Sequence, residues 1–274
     1  MPKESELCPS DSPTALFGFE LRRHRKARGW SQIRLSKAVP YSVGTISMIE
    51  TARRSPTEEF ARHCDEALEA EGALMRLWPM VSHAWAPPWF RPWLDAEATA
   101  EAIRTWEPLV VPGLLQTEDY ARAILSGEPG VTTQEIEEHV TARMERQSIL
   151  RRPKPPMLWA VLDEGVLHRP IGGHAVMAAQ LAHLAELGTA PRITIQILPL
   201  SARSTTGLLG GFAISQAHGA PDTAYVEAAS DAQVTDGTES VRILTFRYEG
   251  IRSEALSQRE SIRLIEETMQ RWTN

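Results

Sequence analysis

Residues 30–56 read WSQIRLSKAVPYSVGTISMIETARRSP, and their punctuation decides the front of the chain. Ser31 stands as an N-cap ahead of the short run IRLSKAV, whose Leu35 and Ala38 share an inward face. Val39-Pro40-Tyr41 breaks that run, because proline has no N–H to continue a helix. Ser42 caps a third run, VGTISMIE, with Ile46 and Ile49 three apart on one face. Upstream, residues 16–29 read as a helix: Phe17, Leu21 and His24 fall at three- and four-residue spacing, and Gly29 closes the run. Thr57, followed by Glu58 and Glu59, opens a fourth helix. Two short helices joined by a turn of three or four residues make a helix-turn-helix unit.

Charge is distributed unevenly around this stretch. Between Leu16 and Pro56 the basic residues are Arg22, Arg23, Arg25, Lys26, Arg28, Arg34, Lys37, Arg53 and Arg54, against only Glu20 and Glu50. Nine less two leaves +7, so with a net charge of -6 the remaining segments sum to -13. A basic head on an acidic body is the footprint of a nucleic-acid-binding module joined to a part that avoids the polyanion. A merely solvated basic face would give the same count.

At 274 residues the chain has room for two domains, and 42% hydrophobic with 23% charged residues is ordinary for a globular protein. No apolar run approaches the ~18 residues of a membrane span. The opening MPKESELCPSDSPT is polar, so no signal peptide is expected. Cys8 and Cys64 form no paired motif, which excludes a disulfide framework and a cysteine zinc site and suits a reducing cytoplasm. The expected organisation is a disordered tail over 1–14, a helix-turn-helix domain over 15–80, a Pro/Trp-rich linker over 81–93 and an α+β domain over 94–274. The linker, AWAPPWFRPW at its centre, reads as a rigid elbow, and Trp78, Trp85, Trp89 and Trp93 as a packed joint.

The stretch 30–56 resembles the phage-repressor-type (XRE) helix-turn-helix. That resemblance implies a third helix lying in the major groove of duplex DNA, with Ser42, Val43, Gly44, Ser47 and Met48 facing the bases. It implies that Gln32, at the start of the second helix, meets a phosphate and that Arg53 and Arg54 meet backbone on the far side. It also implies a buried Arg25–Glu50 ion pair with a structural role. The sequence departs from the pattern at Pro40 and Ala52, where the family usually has glycine. Proline cannot take positive φ, so the turn must differ in shape, and alanine in the left-handed region costs about 1 kcal/mol. The base-facing set lacks the Arg, Asn and Gln of bidentate readout, so DNA shape and backbone contacts are expected to carry much of the recognition.

Beyond the linker, residues 94–152 read as helical except for the turn at Pro112-Gly113, with Thr117 and Thr133 as caps. From 157 the period changes. MLWAVLDEGVL begins strand-like, HAVMAAQLAHLAELG is a helix closed by Gly188, and RITIQILPL, GGFAISQ, AYVEAAS and VRILTFRYE read as strands. A last helix is expected near 256–272. Mixed strands flanked by helices give an α+β body. EPLVVPGLLQTEDYARAIL, VLDEGVLHRPIGG, ITIQILPL, GLLGGFAI, YVE and ALSQRESIRLI resemble the long C-terminal domain of unknown function of actinobacterial XRE regulators, whose members are often labelled antitoxin-like. The resemblance implies a transcriptional regulator, often associated with a small partner protein, and no catalytic residues.

The tempting polar residues of the body are Asp163, Glu164, His168 and Glu227. Asp163 and Glu164 are adjacent, so in a strand they face opposite ways. His168 and His174 are six apart, which matches no familiar metal spacing. GLLGG at 207–211 lacks the phosphate-loop lysine, and there is no G-x-S-x-G elbow. No enzyme, cofactor or metal is expected. Asp163, Glu164, His168 and Arg169 mark where the sequence places a ligand pocket. The expected function is a cytoplasmic, homodimeric, sequence-specific DNA-binding regulator whose body senses a small-molecule effector or a partner protein. The alternative is an antitoxin-like module whose body binds a small protein, with DNA binding serving autoregulation.

Overall fold

The computed structural model describes residues 8–82, 86, 87, 89–228, 230 and 232–273. The chain divides into two compact units, Met1–Pro87 and Pro88–Asn274.

The head is α1 (Pro13–Ala27), α2 (Gln32–Ala38), α3 (Val43–Glu50), α4 (Glu58–Leu68) and α5 (Ala73–Ser82). Ser12, Ser31, Ser42 and Thr57 cap the first four, each accepting a backbone N–H three residues on. Phe17, Leu21, Leu35, Ile46, Ile49, Phe60, Cys64 and Leu74 close the core. α1 and α3 approach so closely at Gly18 that a Cβ there would lie 2.5 Å from the Ile49 carbonyl oxygen. The α2–α3 turn contains Pro40 and uses no positive φ among the described residues, which answers how proline replaces glycine there. Ala52 does enter the left-handed region (φ 55°), and this lets Arg53 N–H close on the Met48 carbonyl at 2.8 Å.

Three boundaries differ from the sequence reading. Pro13 and Thr14, assigned to the tail, open α1, because proline fits the first helical turn and Ser12 caps it. Residues 1–7 of the expected disordered tail lie outside the described residues. The 81–93 linker is shorter than expected: α5 runs to Ser82, and α6 (Arg91–Thr99) begins at its far end. Trp78 therefore packs on the head core and Trp93 is buried in the body, while Trp85 lies outside the described residues.

The body is an α+β unit. After α6 it contains β1 (Ala102–Glu107), α7 (Glu118–Leu125), α8 (Thr133–Arg146), β2 (Met157–Asp163), α9 (His174–Leu187), β3 (Ile193–Leu198), β4 (Phe212–Gln216), β5 (Thr223–Val226), β6 (Gln233–Thr235), α10 (Thr238–Glu254) and α11 (Gln258–Thr273). The sheet order is β3-β2-β1-β4-β5-β6. β1, β2 and β3 run parallel, and β4 pairs antiparallel with β1 and begins an antiparallel meander. One face carries Ile103, Leu158, Ala160, Leu162 and Ile195 against Met177, Leu181 and Leu184 of α9 and Ile265 of α11. The other carries Trp106, Val161, Phe212 and Ile214 against Leu244, Tyr248 and Ile251 of α10.

Two element assignments are corrected. AIRTWE, read as helical, is the central strand β1. Its inward Thr105 and Glu107 are polar, so the apolar alternation that marks a strand is missing. VRILTFRYE, read as a strand for its β-branched and aromatic content, is part of α10. Val241, Leu244, Tyr248 and Ile251 recur at helical spacing, and burying that stripe on the sheet outweighs local propensity.

Candidate nucleic-acid interface and a carboxylate-lined cavity

In the head, the two ends of α3 do different work. Its inner end is fixed by Glu50, which is fully buried. Arg25 reaches the carboxylate with two donors, Nε to Oε1 and Nη2 to Oε2 at 2.7 Å, and its Nη1 donates to the Trp30 carbonyl at 2.7 Å. Arg22 donates to the Glu50 carbonyl at 2.9 Å. Two of the basic residues counted in the sequence therefore hold α1 to α3. Gln32 also turns inward, its Nε2 donating to Glu50 Oε2 at 2.8 Å. The residue expected at a phosphate thus has one amide N–H engaged inside the head.

The outer face of α3 is open. Ser42, Val43, Gly44 and Met48 are exposed, Met48 by 39% of its surface, and Ser47 is half-buried. The Ser42 hydroxyl oxygen accepts from Thr45 N–H at 3.1 Å. Beyond the helix, Arg53 and Arg54 are exposed, as are Arg34 and Lys37 on α2. Arg34 and Arg28 both stack on Trp30, at 4.8 and 5.2 Å from its ring.

The residues singled out in the body are engaged locally. Asp163 Oδ1 accepts from Gly165 N–H at 2.8 Å and so caps a 3-10 turn over Glu164–Leu167. Glu164 accepts from Leu200 N–H at 2.8 Å and lies 3.6 Å from His168. Neither these three nor Arg169 lines the cavity of about 200 Å³ that the body holds elsewhere.

That cavity is built on register. Thr105, Ala213 and Tyr225 lie side by side across β1, β4 and β5. The next inward row continues as Glu107, Gly211 and Glu227, with Glu227 N–H donating to the Gly211 carbonyl at 2.9 Å. The middle strand contributes only Ala213 and Gly211, so the flanking Glu107 and Glu227 side chains can close over Gly211. A Cβ on Gly211 would stand 2.9 Å from Glu227 Oε2 and 3.0 Å from Glu107 Oε2, so both carboxylates converge there. α6 and α8 form the roof. Glu97 Oε1 takes the Trp93 indole N–H (3.2 Å), its Oε2 forms an ion pair with Arg146 Nε at 2.7 Å, and Arg143 donates to Gln116 Oε1 at 2.8 Å.

Burial governs the electrostatics. It raises Glu97 above the ordinary carboxylate range against the pull of Arg146. It raises Glu107 further, with the neighbouring Glu227 adding to the effect. Glu227 is raised by burial too, against the pull of Arg143, and the Tyr225 phenol is pushed up to about 12. Burial brings Arg143 down to about 10. Among the described residues no group of three His, Cys, Asp or Glu side chains could hold a metal ion. Sequence reasoning singled out Glu227 alone from this set. Glu97, Glu107, Arg143 and Arg146 carry no local motif and meet only through the fold.

The fold defines a helix-turn-helix head on an α+β body. Residues 90–267, most of the chain, match the family described as a domain of unknown function (DUF5753), and the chain belongs to that family. Residues 16–78 match a family described as a helix-turn-helix domain. No curated protein and no solved structure matches the chain. Among the described residues no helix is long and apolar enough to cross a membrane.

Proposed function

We propose that the protein is a sequence-specific, double-stranded-DNA-binding transcriptional regulator of the XRE type, acting in the cytoplasm as a homodimer, with the body regulating the head. One observation carries the reading: α3 is locked by its buried face while Ser42, Val43, Gly44 and Met48 stand exposed beside Arg53 and Arg54. A helix held rigidly, with an exposed outer face and cations at its flank, suits insertion into a major groove. Ser47 lies at the edge of that face, and Gln32 retains one amide N–H for a phosphate beside the start of α2. Two heads one helical turn apart match a palindromic site, which is the argument for a dimer.

The experiment is selection of bound duplexes from a random library, followed by binding titrations at several salt concentrations. If each head neutralises about 4–6 phosphates, log K falls with log salt by about 0.9 per phosphate. Reversing charge at Arg53 and Arg54 weakens binding to all sequences alike, whereas changing Ser47 or Met48 alters the preference among them. A shallow salt slope, or identical behaviour of all four variants, refutes the groove assignment.

A further inference from the structure

The cavity in the body has an unusual imbalance. Three carboxylates, Glu97, Glu107 and Glu227, face two guanidinium groups, Arg143 and Arg146. Arg146 is paired with Glu97 at 2.7 Å, which removes one of each. Two carboxylates then remain against Arg143, whose guanidinium donates to the neutral Gln116. Glu107 is only 8% exposed, and while its Oε1 takes the Thr105 hydroxyl at 3.2 Å, its Oε2 has no hydrogen-bond partner among the described residues. A buried acceptor left unmatched is costly, more so when charged, and so marks a place where a donor is missing. This oxygen and Glu227 Oε2 converge over Gly211, 3.0 and 2.9 Å from where its Cβ would stand, at the edge of the cavity. Aromatic rings stand beside it: Tyr225 packs 5.3 Å from Phe90 and 5.7 Å from Trp93, centre to centre.

We propose that this cavity binds a compact organic ammonium, its N–H groups taken by Glu107 and Glu227 above Gly211 and its carbon skeleton lying against Phe90, Trp93 and Tyr225. With the carboxylates ionised, one positive charge brings the site to neutrality and gives the orphaned oxygen a donor. The inference deepens the regulatory reading by naming the ligand class. Binding is measured on the full chain without DNA, so its failure and that of the DNA reading are separable.

The test is calorimetric titration with phenethylamine and isobutylamine, and with benzyl alcohol and phenylacetate as neutral and anionic comparisons. The ammonium probes bind at least tenfold tighter than either comparison. Their affinity falls as pH is lowered, because protons then compete for Glu107 and Glu227, groups faced by Glu97, Arg143, Arg146 and Tyr225. Glu107→Gln weakens the ammonium probes at least tenfold and leaves benzyl alcohol unchanged. Gly211→Ala, which drives a methyl between the Glu107 and Glu227 carboxylates, gives a second loss if the first variant does not fold. Tighter binding of phenylacetate assigns the site to anions through Arg143 and overturns the proposal. So does equal binding of all four probes, absence of binding by both amines, or wild-type affinity in the two variants.

Discussion

Replacing Arg25 by leucine isolates what holds the recognition helix in place. Glu50 is fully buried and Arg25 is 4% exposed, so the pair sits out of reach of water. The substitution removes both guanidinium bonds to the carboxylate and the bond to the Trp30 carbonyl. Gln32 at 2.8 Å and Arg22 at 3.7 Å remain, and neither restores the bidentate geometry. Breaking a buried pair from one side typically costs about 3–5 kcal/mol, and because Arg22 still faces the carboxylate the lower end of that range applies. At about 1.4 kcal/mol per decade, that is about two decades of lost amide protection. Hydrogen exchange read by mass spectrometry on peptides of α1 and α3 measures it in the full chain, with peptides of the body as an internal control. Replacing Arg25 and Glu50 together by leucine and methionine removes the charge as well as its partner, and costs less than Arg25→Leu alone. A single variant with protection indistinguishable from wild type, or a double variant worse than the single, refutes the account of α3 as a helix clamped at Glu50.

Three further outcomes follow from the geometry. Gly18→Ala forces a methyl to within 2.5 Å of the Ile49 carbonyl oxygen and lowers head stability by about 1–3 kcal/mol, read from the same exchange experiment. Ala52→Gly relieves a φ of 55° and raises head stability by about 1 kcal/mol, visible as slower exchange at the end of α3. In the body, burial lifts Glu97, Glu107 and Glu227, with Glu227 further lifting Glu107. The folded state therefore keeps protons that the unfolded chain has released, and this contribution, full below the unfolded carboxylate range, is lost as pH rises through the raised folded values. Glu107→Gln removes one such group, so its melting temperature drops less than the wild type's between pH ~5 and pH ~8; an equal or larger drop contradicts the assigned burial.

How much could be read in advance depended on the range over which each signal acts. The head was legible because its determinants are local. Ser31, Ser42 and Thr57 cap the helices they precede, Pro40 breaks the chain between two of them, and Ile46 and Ile49 mark the inner face of α3. The body was legible only as a class. Its α+β character followed from the change of period after residue 157, yet β1 was hidden by the polar Thr105 and Glu107, and α10 was disguised by residues that favour strands.

By itself the sequence determined the helix-turn-helix, its basic character and the mixed body behind it, because caps, breaks and periodic stripes act between residues a few positions apart. Tertiary structure alone decided that Arg22 and Gln32 join Arg25 on Glu50, and that Glu97, Glu107, Arg143 and Glu227 surround one cavity. Those meetings depend on strand register and on how closely helices can approach, at Gly211 and at Gly18. Residues far apart in the chain become neighbours only when buried area and backbone hydrogen bonding select a single packing, and no local pattern encodes that selection.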